Sequence, residues 1–266
     1  MAGAANLATK QGSAEAVFPA VVENNRAPGR IVLVCEHASN EFPEAWGGLG
    51  LTDAQRQAHI AWDPGALDLA RGLSEQLDAV LVHAPVSRLV YDLNRAPDQA
   101  GAMPERSEVY DVPGNIAINA RERARRTSAI YVPFHSELHR IIAERIALGL
   151  APVIVTIHSF TPIYFGKPRA VEFGVIHDAD ARYAQAICRA AQSLPIRTEL
   201  NAPYSALDGV THTLRLQATP YGLPNAMLEV RNDLIDTTAK ALKMAALLAP
   251  VLNMGLVEIQ RQAKAS

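Results

Sequence analysis

The stretch Ile31-Val32-Leu33-Val34-Cys35-Glu36-His37-Ala38-Ser39-Asn40 changes character at its midpoint. Its first half is an unbroken apolar run rich in β-branched residues. Such a run suits a strand covered on both faces, as in a parallel sheet, where no polar alternation is needed. Its second half is polar. A strand buried on both faces gains nothing structurally from ending in Glu36-His37. In open α/β sheets, however, ligands bind just beyond the carboxyl ends of the strands. The stretch therefore predicts both a sheet type and a site, with His37 at its centre.

The same pattern recurs outward from it. Ala79-Val80-Leu81-Val82-His83 reads as a second buried strand, and Pro152-Val153-Ile154-Val155-Thr156-Ile157 as a third that runs into His158. Residues 171–177 and Ala226-Met227-Leu228-Glu229-Val230-Arg231 read as further strands, and residues 87–92 as another short one. Helices are expected between them. One covers residues 64–77, with Asp63 as N-cap, Pro64 at the first position and Ala66, Ala70, Leu73 and Leu77 on one face. One covers 133–148, with Phe134, Leu138, Ile141, Ile142 and Ile146 inward. Others cover 179–192 and, capped by Asp236, 236–252. Residues 96–126 are long and irregular, helical from Ala120, and a candidate lid. Strands alternating with helices predict an α/β fold, a mostly parallel sheet with helices on both faces. Residues 1–15, rich in Ala and Gly, are expected to be a flexible N-terminal segment, with 16–266 forming a single domain.

Composition narrows the function. The 266 residues carry a net charge of −2 and 20% charged residues. No basic excess points to nucleic acid and no polybasic run to a membrane surface, so a small-molecule partner is expected. Two cysteines, Cys35 and Cys188, are too few for a disulfide framework or a Cys-rich zinc site. The N-terminus has no signal-peptide pattern, and the apolar stretch 244–257 is broken by Pro250 and Asn253. A cytoplasmic enzyme is the expectation.

Two strand-end histidines, His37 and His158, with a carboxylate suit a catalytic divalent metal. Asp63 is a candidate third ligand and, equally, a helix cap. A metal of this kind makes water nucleophilic near neutral pH, and a second carboxylate must then carry the proton. Glu229, late on its strand, is placed for that, or for pairing with a neighbouring arginine. His135, spaced i, i+4 from His139, lies near a helix start where it can face the site, whereas His139 is expected at the surface. Arg88 and Arg95 flank a polar cluster that ends in Asn94, and Arg231 follows Glu229 on the same strand face. Each can bind a substrate carboxylate or form a salt bridge, for instance Arg95 with Asp92. No G-x-S-x-G elbow is present. A metal-free cysteine amidase using Cys35 and His37 is a competing reading, although Cys35 closes an apolar run. A non-catalytic protein that binds a small acid is another.

Taken in order, the motifs resemble one family. Val34-Cys35-Glu36-His37-Ala38-Ser39-Asn40 followed by Pro43, Ala61-Trp62-Asp63-Pro64-Gly65-Ala66 and Ser87-Arg88-Leu89-Val90-Tyr91-Asp92-Leu93-Asn94-Arg95 resemble the first three motifs of the N-formylglutamate amidohydrolases. Tyr131-Val132-Pro133-Phe134-His135, Thr156-Ile157-His158-Ser159-Phe160 and Leu228-Glu229-Val230-Arg231-Asn232-Asp233-Leu234 are similar to later ones. The resemblance covers roughly residues 30–250. It implies a three-layer α/β/α sandwich of the zinc-dependent exopeptidase type. It implies hydrolysis of N-formyl-L-glutamate to formate and L-glutamate, a step of histidine breakdown, or of another short N-acyl amino acid. By analogy with similar cell-wall amidases it further implies His37, Asp63 and His158 as metal ligands, zinc being the expected ion, and Glu229 as catalytic acid/base. Read beside it, His135 is a further catalytic candidate, and Asn40, Arg88, Asn94, Arg95, Ser159 and Arg231 are the substrate-binding candidates. Carboxypeptidase-like relatives take their acid three residues after the first histidine, where this chain has Asn40. Either Asp63 takes over or the metal site is altered.

Overall fold

The central sheet has seven strands: β1 (Val21–Glu23), β2 (Ile31–Cys35), β3 (Val80–His83), β4 (Val153–Phe160), β5 (Phe173–Ile176), β6 (Thr198–Leu200) and β7 (Asn225–Arg231). They come from a computed structural model that describes residues 16–265. The segment 1–15, expected to be flexible, lies outside the described residues. The spatial order is β1-β3-β2-β4-β7-β5-β6. The four central strands β3, β2, β4 and β7 are mutually parallel. β1 joins β3 antiparallel and β5 joins β7 antiparallel, with β6 parallel to β5. The mostly parallel α/β sheet is thus as read from the sequence. The two edge strands were not read, because three residues are too few to show a period.

Seven α-helices accompany the sheet among the described residues: α1 (Asp53–Gln57), α2 (Ala66–Leu77), α3 (Ala120–Arg126), α4 (Val132–Ala147), α5 (Arg182–Ala190), α6 (His212–Gln217) and α7 (Thr238–Ala265). Alternate residues of each central strand enter opposite layers. Leu33, Cys35, Val155, Ile157 and Leu228 face the apolar sides of α2, α5 and α7. Val32, Val34, Ile154 and Met227 face Phe134 and Leu138 of α4 and Leu214 of α6. Both faces are buried, which explains the unalternated strand sequences. Each such side chain contributes ~1.5–3 kcal/mol relative to exposure.

Several local expectations need correction. Residues 87–92 form turns rather than a strand, fastened by Ser87, whose hydroxyl donates to Ala61 O at 2.7 Å. Pro133 does not start a helix. α3 continues through a π-turn (Thr127–Tyr131) into α4, so the backbone around Pro133 is already helical and needs no new cap. Ile146, expected inward, is exposed near the end of α4. α7 runs past Pro250, which forfeits a hydrogen bond without ending the helix. Its cap is Thr237, whose hydroxyl accepts from Lys240 N at 3.3 Å, not Asp236. α7 is long and apolar enough to cross a membrane by length and composition. Here Ala241, Ala245, Leu248 and Leu252 on one side of it are buried in the layer it shares with α2 and α5.

Candidate active site

Strands β2, β4 and β7 are neighbours, so their carboxyl ends meet. In the β4–β7 register Glu229 stands opposite His158, and His37 follows the end of β2 by two residues. The turn Asp63-Pro64-Gly65 leads into α2 beside them. It is held by Asp63 N donating to His37 O at 2.9 Å and by Ser159 Oγ donating to Pro64 O at 2.8 Å. Gly65 caps α2 with φ +79°, and a Cβ there would lie 2.1 Å from Ile235 O. Both facts demand glycine. Gly65→Ala is expected to lower the unfolding free energy by about 2 kcal/mol or more. Urea titration checks this, and an unchanged midpoint would show that the turn relaxes freely.

With the turn so held, the carboxylate of Asp63 does not cap α2. Asp63 Oδ2 lies 3.2 Å from His37 Nδ1 and 3.0 Å from His158 Nδ1, and the two ring nitrogens are 3.2 Å apart. All three residues are buried. Ligand atoms about 2.1 Å from one shared ion stand roughly 3 to 3.4 Å from each other, so this triangle has the dimensions of half a metal shell. Without an ion, protonated nitrogens would compete for a single oxygen, whereas one cation satisfies three lone pairs at once.

The outer nitrogens complete the pattern. His37 Nε2 is 2.7 Å from Asp92 Oδ1, and His158 Nε2 is 3.2 Å from Glu36 Oε2. A carboxylate on the far nitrogen keeps the proton there and leaves the Nδ1 lone pair inward, the usual support for a ligating histidine. Asp92→Ala is therefore expected to weaken metal affinity about 10- to 100-fold. Competition with a chromogenic chelator measures it, and an unchanged affinity would remove Asp92 from this role.

Burial works against ionising these acids, and their neighbours overcome it. Burial raises Asp92, but His37 and Arg88 outweigh it and hold the carboxyl well below the usual carboxylate range. Burial likewise raises Glu36, and His158 beside it brings it below the usual value. Asp63 is lowered by His37, His158 and Arg88 against the same penalty. For Glu229 the compensation falls short: His158, His37 and Arg88 lower it, but burial and the Asp63 carboxylate outweigh them. Burial pushes it up to about 7, and its Oε2 has no hydrogen-bond partner among the described residues. It is the acid whose proton is free to move near neutrality.

A cavity of about 210 Å³ opens over these groups. Its wall brings together His37, Asp63, His158, Glu229, Ser159, Arg88, Asn94 and Arg95, all singled out in the sequence. Their engagements differ. Arg88 spans Asp63 at 3.2 Å and Asp92 at 2.8 Å. Asn94 fastens two loops, donating to Val210 O and accepting from Thr213 N at 3.0 Å. Arg95 donates to Gly209 O and has no carboxylate within ion-pair distance among the described residues. The expected Arg95–Asp92 bridge is replaced by the Arg88–Asp92 one.

Three expected site residues stand outside the wall. Arg231 pairs with Asp233 at 2.8 Å and Glu172 at 3.3 Å. Asn40 donates to Gln57 Oε1 at 2.8 Å, which leaves Asp63 as the carboxylate beside the histidines. His135 is buried, with Nε2 2.9 Å from Leu93 O and Nδ1 3.3 Å from Gln217 Nε2, so both nitrogens are engaged behind the loop that carries Asn94. His139 is exposed, as expected. Cys35 points into the α2 layer, where burial raises its thiol far above the usual range, so it offers no nucleophile. Sequence reading missed Glu36, Tyr164 and Tyr204 and gave Asp92 the wrong partner. Glu36 and Asp92 each lie inside a quoted motif, but nothing local marks the histidine that each supports.

Comparison with known proteins identifies the family. The family model for N-formylglutamate amidohydrolase matches residues 29–236. No protein of curated function matches the chain. Among solved structures, the gene product Atu2144 from Agrobacterium tumefaciens is 49% identical with a TM-score of 0.90, the alignment covering 92% of this chain and 97% of that one. An N-formylglutamate amidohydrolase from Ralstonia eutropha JMP134 is 17% identical with a TM-score of 0.64, covering 93% of this chain and 100% of that one, a likeness of fold. With a family match spanning most of its length, including every residue of the histidine–carboxylate cluster, the chain belongs to the N-formylglutamate amidohydrolase family.

Proposed function

We propose that this protein hydrolyses the amide of a small N-acylated acidic amino acid, converting N-formyl-L-glutamate and water to formate and L-glutamate. The observation that carries the reading is the triangle of His37 Nδ1, His158 Nδ1 and Asp63 Oδ2 with carboxylates behind both rings. His37, Asp63 and His158 would hold a divalent metal, zinc being the ion best suited to an N/N/O set with room for water. Such an ion, when bound, supplies Lewis acidity that makes water nucleophilic at neutral pH.

The remaining work falls to side chains. Glu229 takes a proton from the attacking water and delivers it to the leaving nitrogen as the C–N bond breaks. Arg88 compensates the charge of Asp63 and Asp92 and so keeps the buried cluster ionised. Arg95, which has no acidic partner among the described residues, receives the substrate carboxylate. The small cavity excludes bulky acyl groups.

The test couples metal analysis to a formate-release assay over a panel of N-formyl amino acids. The expected result is about one equivalent of metal, activity lost on chelation and restored by zinc, and preference for the glutamate derivative. Full activity after exhaustive chelation would overturn the metal assignment. Binding of glutamate-like acids without formate release would instead identify a non-catalytic binding protein.

A further inference from the structure

One arginine near the cavity has no acidic partner among the described residues and an unusual setting. Arg169 follows the hairpin of Ile163–Tyr164 and Lys167–Pro168, which projects from the end of β4. Its guanidinium lies 4.3 Å from the ring centre of Tyr164, 4.9 Å from that of Tyr204 and 5.4 Å from that of Phe160. No carboxylate is within ion-pair distance of it among the described residues. Arg169 Nη2 donates to Tyr204 Oη at 2.7 Å. Three aromatic faces, the Thr161 carbonyl (accepting from Nη1 at 3.4 Å) and one phenol oxygen thus fix a cation whose charge is spent on no acid among the described residues.

Tyr204 is the group this arrangement serves. It lines the cavity together with Glu229 and the histidine–carboxylate cluster. Its oxygen accepts from Arg169, and its own O–H reaches no acceptor among the described residues. Burial and the nearby Glu229 carboxylate raise the phenol above its usual pKa, so it stays a donor. A phenol that accepts a charge-assisted hydrogen bond is a stronger donor with its remaining proton.

Resting on the amidohydrolase reading above, we infer that Tyr204 donates to the acyl oxygen of the substrate and stabilises the negative charge that develops there, with Arg169 as its positioning residue. When the water oxygen bonds to the acyl carbon, the π pair of the C=O moves onto the acyl oxygen, which meets the Tyr204 O–H. When the C–N bond breaks, that pair returns to re-form the carbonyl and the amine leaves with the proton carried by Glu229. No redox change or further reactant is needed. The phenol is preorganised before charge appears, the condition under which such a donor is most effective.

The experiment uses the metal-loaded protein and its Tyr204→Phe, Arg169→Met and Arg169→Lys variants. Tyr204→Phe is expected to lower kcat about 10²- to 10³-fold with little change in KM, the scale for removing one oxyanion donor. Arg169→Met should reproduce part of that loss in kcat, and Arg169→Lys, which can still donate to the phenol, should recover some of it. A methylphosphonamidate of glutamate, a tetrahedral mimic, should bind Tyr204→Phe at least about tenfold more weakly than the parent, while glutamate binds both alike. Equal kcat in parent and Tyr204→Phe, or a loss confined to KM, would overturn the inference. If the parent itself releases no formate, the functional reading fails first, and the two failures are told apart by the parent assay alone.

Discussion

His158→Ala should leave a folded protein that retains no metal through purification and has lost activity on the order of a thousandfold or more. The reason lies in the triangle of donor atoms. His158 Nδ1 is 3.0 Å from Asp63 Oδ2 and 3.2 Å from His37 Nδ1, so its removal leaves two of the three proposed ligands, too few to hold a catalytic ion. The substitution also strips Glu36 of its only ion-pair partner among the described residues, at 3.2 Å in a fully buried position. An unpaired buried charge is costly, so some stability will be lost with the metal. The double variant His158→Ala/Glu36→Gln separates the two effects. It should recover stability and still bind no metal. Stoichiometric metal with full activity in either variant would sink the ligand assignment.

That coupling shows where the sequence stopped being legible. Strand character and sheet type were readable because burial on both faces leaves a local mark, the unalternated runs of β2, β4 and β7. His37, His158 and Glu229 were readable because each interrupts or ends such a run. Glu36 was not, although it adjoins His37. A carboxylate at a strand end looks solvated until the partner that buries it is known, and that partner is 122 positions away. Asp92 was assigned to Arg95, three residues along, whereas the turn through 87–94 presents it to Arg88 and His37 instead. Arg231 does continue β7 in alternation with Glu229, as expected. Two residues carry it about 6.6 Å further along the strand, however, and there Glu172 and Asp233 capture it. His135 was placed by a helix start at Pro133 that does not exist. For Glu36, Asp92 and Arg231 the error came from a tertiary neighbour, and for His135 from a local helix boundary.

Glu229→Gln should keep the metal and lose turnover, with kcat falling about 10²- to 10⁴-fold and KM little changed. The amide is nearly the same size as the carboxyl, so the packing beside Gly174, where the glycine's missing Cβ would stand 3.3 Å from Glu229 Cβ, is undisturbed. Burial disfavours the charged form of Glu229, as its raised pKa records, so the neutral side chain should be at least as stable in place. The histidines and Asp63 keep every contact they have with one another. What disappears is the capacity to take up a proton and release it. The combination of unchanged metal content, an equal or higher unfolding midpoint and a collapsed kcat distinguishes this role from a structural one. A variant that loses its metal would make Glu229 a ligand, and one that turns over normally would leave the proton to be carried by another group in the cavity.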